Sequence, residues 1–503
     1  MQERPILHPV MLAGTGSDVG KSVLVAALCR IFRQDGYSPA PFKAQNMALN
    51  SYATPDGLEI GRAQAMQAEA AGIPCSVYMN PLLLKPIGNL TSQVVLMGTP
   101  IGNRTARESF GGEGREALRQ TVNQAYDHLA AHHNPVVLEG AGSLAEINLR
   151  HVDLVNLPMA RHARADVILV GDIDRGGVFA QVYGSLMLLT PEERSMVKGI
   201  IINKFRGDVS LFMPGARQLE ELCGIPVLGV IPYFQHISLD QEDSLSLSQS
   251  QTHHTSRPHT INIAVVRLPH MSNFTDFNAL GQDPRIHLYY TNQADELRQA
   301  DLIILPGSKS TIADLLYLRR CALDTVIIQA HRQGVAIVGI CGGYQMMGLT
   351  ISDPEHTEGM TQETTGLALL PVHTRLSSHK VTRQVVFDTP TAQLHDMQGY
   401  EIHTGTTTAD GAAAPSPLNI RSDGTPDGYL LNRSCMGTYM HGILDNAVFV
   451  EWLLEPFAGQ LTGAQAITDY NQFKQEQYDL LAQHVRTHLR MDLLYRILTG
   501  HHD

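Results

Sequence analysis

Several things are scarce in this sequence, and each scarcity excludes a class of function. No stretch approaches the roughly 18 consecutive apolar residues of a membrane-spanning helix, so no transmembrane segment is expected. The six cysteines (29, 75, 223, 321, 341 and 435) form no C-x-x-C pair and no zinc-type spacing. A disulfide scaffold and a zinc module are thereby excluded, and free thiols in a reducing compartment are expected. Basic residues number 37 against 49 acidic ones, for a net charge of −12. That balance offers no basic face for nucleic acid or for an acidic membrane. An acidic small-molecule substrate stays open, because it needs only a local basic pocket. The opening "MQERPILHPV" lacks a basic n-region and a small-residue cleavage site, and a cytoplasmic location is the expectation.

What is present fits an ordinary globular protein. The 503 residues, 43% apolar and 17% charged, leave room for two to four domains of roughly 100–200 residues each. Short apolar runs at 9–13, 40–44, 135–139, 166–172, 199–205 and 226–231 read as parallel strands buried on both faces. Helical stretches such as 21–34 and 113–131 lie between them. The fold class expected is α/β, with a doubly wound parallel sheet in an N-terminal domain over 1–243. A Ser/Gln/His-rich stretch, 244–259, reads as a linker. A second α/β domain over 260–455 runs through "TINIAVVRL", "DLIILPGSKST" and "VAIVGICGGYQ" into β-rich sequence. The tail, 456–503, places Phe473, Tyr478, Leu481, Val485 and Leu489 at helical spacing, which predicts helices that pack on the rest.

Two motifs carry chemistry. The first, "MLAGTGSDVGKS", joins a strand to a helix through Gly14 and Thr15, then Gly16, Ser17, Asp18, Val19, Gly20, Lys21 and Ser22. Glycines let backbone N–H groups turn inward around phosphates. A lysine neutralises β/γ oxygens, and a Ser hydroxyl holds Mg²⁺. The strict pattern G-x-x-x-x-G-K-[ST] wants glycine at 15, where this chain has Thr15 between two glycines. A carboxylate from a neighbouring strand end completes such a site. Glu139, followed by Gly-Ala-Gly, is the preferred metal ligand, and Asp172 is the alternative. Asn203 and Lys204 in "INKFRGD" form a weak match to an adenine-reading pair.

The second motif is "VGICGGYQMMG". An apolar strand ends at Cys341 and a helix starts at once, the form of a nucleophile elbow. A thiol at a helix N-terminus has its thiolate stabilised, and the N–H of Gly342 is placed to hold an oxyanion. Such a cysteine needs a histidine from elsewhere. His441 in "GTYMHGIL" is the preferred base and His403 in "GYEIHTG" its competitor.

Together these strings resemble a known family. "VGICGGYQMMG" with "YMHGIL" is similar to the glutamine amidotransferase domain of the cobyrinate-amidating type, and "GTGSDVGKS" with "EGAGS" to the dethiobiotin-synthetase-like ATP-binding domain. The order, ATPase first and amidotransferase second, is that of the cobalamin-pathway amidases. The strings "FKAQNMALNS", "GDIDRGGVFA", "INKFRGD" and "LPGSKST" point to the member that amidates the b, d, e and g carboxylates of adenosylcobyrinic acid a,c-diamide. The resemblance implies a class I amidotransferase-like C-terminal domain, with glutamine, ATP, Mg²⁺ and a corrinoid as reactants and cofactors. It implies Cys341 as nucleophile, His441 as proton shuttle, and acyl phosphate activation at the other site. It also implies Lys43, Asn46, Asn50, Asp174 and Arg175 at the corrinoid carboxylate. Nucleic acid and membrane are not expected partners, and homo-oligomer formation is left open. Many relatives of this class carry a glutamate two residues after the histidine, where this chain has Ile443. A dyad or a third partner from elsewhere is then implied, with Glu401 a guess.

Other readings remain. The a,c-diamide synthase of the same pathway is the near alternative, disfavoured by "FKAQNM" and "DRGGVFA". A ligase acting on cell-wall lipid intermediates usually splits the two domains over two chains. A partitioning-type ATPase switch often has a second lysine early in its loop, where this chain has Gly14 and Thr15. A cobalamin-binding sensor would have no need of the cysteine elbow.

Overall fold

The computed structural model describes residues 4–87, 91–105, 114–234, 237–240, 256–411, 416–460 and 469–500. Most of the expected linker, 244–255, lies outside the described residues, as does the start of the tail at 461–468. The chain divides into two compact units. One comprises Met1–Ala48, Ile60–Leu239 and Phe473–Asp503, and the other Leu49–Glu59 and Asp240–Gln472. Neither unit is one continuous stretch, unlike the linear division expected from composition.

The first unit is built on six parallel strands in the order Val227–Pro232, Val197–Phe205, Asp166–Asp172, Val10–Gly14, Val136–Glu139 and Ala40–Phe42. The Val10–Gly14 and Asp166–Asp172 strands are buried at every position. Unbroken apolar runs therefore mark them better than alternation would. The sheet reverses its order around Val10–Gly14, which brings the ends of Val136–Glu139 and Asp166–Asp172 to either side of the loop after it. A smaller sheet of Gln45–Met47, Leu82–Pro86, Thr91–Leu96 and Thr99–Thr105 belongs to the same unit.

The tail helices, Tyr470–His488 and Met491–Leu498, are part of this unit's core. Tyr478, Leu481, Ala482, Val485 and Leu498 pack in one cluster with Leu24, Leu28 and Leu228. Arg30 donates to Asp479 at 2.7 Å and Lys474 to Glu69 at 3.1 Å. Gly229 on the edge strand has no room for a Cβ, which would sit 2.1 Å from the carbonyl oxygen of His488. The tail thus covers a sheet edge that would otherwise be open to pairing.

The second unit has its own six-stranded sheet, ordered Ile286–Thr291, Ile261–Val266, Leu302–Leu305, Ala336–Ile340, Cys435–Thr438 and Tyr429–Asn432. All its neighbours run parallel except the last pair. Beside it stands a long antiparallel hairpin, Val372–Thr389 with Leu394–Ala409. No helix among the described residues is long and apolar enough to cross a membrane.

The tail's place in the core generates a test. Leu481 is fully buried, so Leu481→Ala is expected to lower stability by about 2–5 kcal/mol through lost contacts and a residual cavity. Urea unfolding followed by hydrogen exchange on the first sheet would show it. A change below about 0.5 kcal/mol would mean the tail is only loosely attached.

Candidate functional site

Two sites emerge, one in each unit. In the first, the phosphate-type loop runs from the central strand into the helix Lys21–Gln34. Gly14 is required by space, since a Cβ there would lie 2.8 Å from both the Gly16 carbonyl oxygen and Lys21 Nζ. Gly20 adopts φ 96°, a left-handed conformation that glycine accepts without a Cβ penalty. Lys21 Nζ folds back onto the carbonyls of Gly16 at 2.8 Å and Gly142 at 3.1 Å, so its charge stays inside the loop. Ser17, Asp18 and Val19 form the turn, with Asp18 at φ 57°.

Glu139 is the centre of this site. It is 2% exposed, and one carboxylate oxygen accepts from Ser22 Oγ and from Lys43 Nζ, each at 2.8 Å. The other accepts from Gln67 Nε2 at 2.7 Å. Burial pushes the Glu139 carboxyl upward, but the Lys43 charge and the three hydrogen bonds outweigh it and hold the group below its ordinary range. Asp172 is engaged differently. It accepts from the Asp174 N–H at 2.8 Å and pairs with Lys204 at 3.1 Å. Of the two acids, only Glu139 touches Ser22.

Asn203 and Lys204 do lie at the loop, but they brace it. Asn203 is buried and donates from Nδ2 to the Val19 carbonyl at 2.8 Å, while Lys204 reaches the Asp18 carbonyl. Asn203 Oδ1, buried at the same place, has no hydrogen-bond partner among the described residues. The residues implied at a corrinoid carboxylate come from both units. Lys43 stands on Glu139, and Asn46 donates to Gln64 at 3.1 Å. Asp174 pairs with Arg206 at 2.6 Å, and Arg175 approaches Asp18 at 3.5 Å. Asn50 belongs to the other unit.

In the second unit the elbow is plain in the backbone. Cys341 sits at φ 52°, ψ −111°, between Ala336–Ile340 and the helix Gly342–Met347. A non-glycine residue there is strained, and such strain is typical of functional turns. The two glycines are explained by crowding: a Cβ on Gly343 would lie 1.9 Å from the Leu305 carbonyl oxygen, and one on Gly342 2.8 Å from the Ser308 N.

His441 comes to Cys341 from the end of the adjacent strand. It is 1% exposed, and its Nδ1 lies 2.6 Å from Asp276 Oδ2. Burial lowers the basicity of this ring. The charge and hydrogen bond of Asp276, with a smaller contribution from Cys341, overcome that and raise it to about 10. His403 is held elsewhere, stacked on Tyr439 at 3.8 Å. Glu401, the sequence-based guess for a third partner, is fully buried between Arg383 and Arg421 and does not meet His441. Burial pushes that carboxyl up, but His403, Arg421 and Arg383 outweigh it and hold the group at about 2.

Sequence reasoning missed Asp276, Asn273, Gln67 and Gln345. Gln345 accepts from Thr311 Oγ1 and donates to the Thr404 carbonyl and Tyr439 hydroxyl, beside the elbow. Only the string "SNFTDF", polar residues in the loop that follows the buried strand Ile261–Val266, could have signalled the first two.

Comparison with known proteins agrees with both halves. Residues 10–247 match the model of the CobQ/CobB/MinD/ParA nucleotide binding domain, and residues 262–449 that of the CobB/CobQ-like glutamine amidotransferase domain. A relative from Bacteroides fragilis named cobyric acid synthase is 62% identical over 98% of this chain and 99% of its own length. Relatives of the same name from Parabacteroides distasonis and Citrobacter koseri are 52% and 48% identical, over 97% and 98% of this chain and 98% and 99% of their own. The chain belongs to the cobyric acid synthase family, a family of glutamine amidotransferase ligases.

Proposed function

We propose that this chain converts adenosylcobyrinic acid a,c-diamide to adenosylcobyric acid. It amidates the b, d, e and g carboxylates, using one glutamine and one ATP per amide. The observation that carries the reading is Cys341 on a strained elbow beside His441, on the same chain as a phosphate loop whose Ser22 touches a buried Glu139.

At the glutaminase site, Asp276 takes the Nδ1 proton as a hydrogen bond and leaves Nε2 to exchange a proton with Cys341. The thiolate attacks the glutamine carboxamide carbon, and the N–H of Gly342 holds the oxyanion. His441 returns the proton to the leaving nitrogen, ammonia departs, and water releases glutamate from the thioester. Glu401 takes no part, being held by its arginines.

At the synthetase site a carboxylate must be activated, because carboxylate and ammonia do not condense in water. Phosphoryl transfer from ATP makes the acyl phosphate, and ammonia displaces phosphate from it. Lys21 and the loop N–H groups bind the phosphates. Ser22 and Glu139 fit a Mg²⁺ site of the usual kind, one carboxylate and one hydroxyl completed by phosphate oxygens and water. The ion supplies charge neutralisation across the phosphates. Lys43 occupies Glu139 in the present arrangement. From this position Lys43 would stabilise the charge developing on the transferred phosphoryl group. Asn46, Asn50, Asp174 and Arg175 are assigned to the corrinoid, and Asn203 and Lys204 to holding the loop around the nucleotide.

Four added amides by mass spectrometry, from a,c-diamide, ATP and glutamine, would support the assignment. Labelling at a and c alone, starting from the unamidated acid, would favour the alternative enzyme of the pathway. Cys341→Ala should abolish glutamine-dependent turnover and keep turnover with ammonia. Retained glutamine hydrolysis in that variant would sink the mechanism.

Asp276→Asn is expected to lower kcat for glutamine hydrolysis by roughly 10²–10⁴. Its direction with pH follows from the charge. Because Asp276 raises the His441 basicity, the ion pair stabilises the fold below the ordinary histidine range and is lost as pH rises toward about 10. The variant should lose that alkaline extension, read as a lower alkaline limb in kcat/KM and a smaller stability change between pH 6.5 and 10.

A further inference from the structure

Asn273 immediately precedes the turn Phe274–Phe277 that carries Asp276, and it is buried at φ 53°, ψ 39°. Asparagine tolerates this left-handed backbone. Its side chain has two engagements. Oδ1 accepts the backbone N–H of Ser51 at 3.1 Å, and Nδ2 stands 3.5 Å from His441 Nε2. A backbone N–H can only donate, so Ser51 decides which end of the amide faces the histidine.

That choice matters to the proton. With Nδ1 on Asp276, Nε2 is the nitrogen that takes the thiol proton. An amide N–H aimed at Nε2 suits a ring with a bare lone pair there and opposes one carrying a proton. The opposite face of the amide, Oδ1, would accept Nε2–H and favour the thiolate–imidazolium pair. The groups facing the ring are Asp276, Cys341, Asn273 and Tyr400, whose ring stacks on it at 5.1 Å and 20°.

Ser51 begins the strand Ser51–Ala53, directly after Lys43, Asn46 and Asn50. The segment Leu49–Glu59 is carried by the second unit. Tyr52 lies against Tyr400 at 4.5 Å, Gln384 donates to the Ala53 carbonyl at 3.0 Å, and Lys380 pairs with the buried Glu59. The chain that runs on from the proposed corrinoid contacts therefore ends against the partner of the catalytic histidine.

We infer that Asn273 is a positioning residue through which the corrinoid-binding segment controls glutamine hydrolysis. While the Ser51 N–H engages Oδ1, Nδ2 faces Nε2 and opposes the Nε2–H of the imidazolium that Asp276 favours. Displacement of Ser51 lets the amide turn, Oδ1 accepts Nε2–H, and the thiolate–imidazolium pair gains population with nothing consumed. The inference rests on the proposed roles of Cys341 and of residues 42–51.

The test measures glutamine hydrolysis by the full-length chain with and without the a,c-diamide and ATP. Wild type is expected to be stimulated on the order of 10-fold, within the usual span of coupling between sites. Asn273→Gly keeps the left-handed backbone and should raise basal hydrolysis, bringing the ratio to within about 2-fold. Ser51→Pro, which removes the N–H, should do the same. Asn273→Asp keeps an acceptor for Ser51 but turns a carboxylate oxygen to Nε2, so the alkaline limb of kcat/KM should move up by about one pH unit. The two Asn273 variants carry the test if Ser51→Pro does not fold. An unstimulated wild type, or variants that keep its ratio and pH profile, would overturn the inference. So would a uniform fall in kcat at an unchanged ratio. Cys341→Ala in the same assay separates the readings: if it still hydrolyses glutamine, the proposed function fails first.

Discussion

The hydrogen bond between His441 and Asp276 is the constraint around which the second unit is arranged. Both side chains are almost wholly buried, at 1% and 3% exposure. A buried imidazolium is unfavourable unless a carboxylate compensates it, and a buried carboxylate is unfavourable alone. Each therefore requires the other, and the bond fixes the ring's tautomer as well as its charge. The loop bearing Asp276 must consequently be stiff. Asp314, with no exposed surface, supplies that stiffness. It accepts from the backbone and ring of His270, the ring at 2.8 Å, and from Ser308 Oγ at 2.7 Å. Two loops flanking the elbow are thereby tied to one carboxylate.

The first unit meets the same problem with a different cation. Glu139 is buried at a strand end, and Lys43 compensates it as Asp276 compensates His441. The difference lies in the other partners. Gln67 and Ser22 also donate to Glu139, and with Lys43 they hold the acid ionised against burial.

The parts of this fold that could be read from sequence are those whose signal is local. Parallel strands buried on both faces appear as apolar runs, and the sheet strands fall close to the stretches read that way. The two glycines after Cys341 report crowding against Leu305 and Ser308. His441 stood out in the sequence because a strand-end position and a following glycine are themselves local. Asp276 lies 165 residues from His441, with no spacing rule joining them, and only the folded sheet brings them together. Glu401 misled because a carboxylate near "IHTG" looks available until Arg383 and Arg421 are seen on it. The contacts of "INKF" with the carbonyls of Val19 and Asp18 are likewise long-range and have no spacing rule.

Composition placed the domain boundary at the linker, yet packing puts two segments on the far side of it. The tail from Phe473 completes the first unit, and Leu49–Glu59 completes the second. A chain cut in the linker would yield an amidotransferase half without Glu59 beside Lys380, without Tyr52 against Tyr400, and without the Ser51 N–H on Asn273. The other half would lack the helices that cover Gly229 and fill the core around Leu228. Each half would then expose a buried lysine or an apolar sheet edge, at a cost comparable to a large share of a domain's marginal stability. The two activities are thus carried by units that could not be exchanged as whole cassettes. The strand Ser51–Ala53, set against Asn273 and Tyr400, is a direct physical reason for one chain to hold both units.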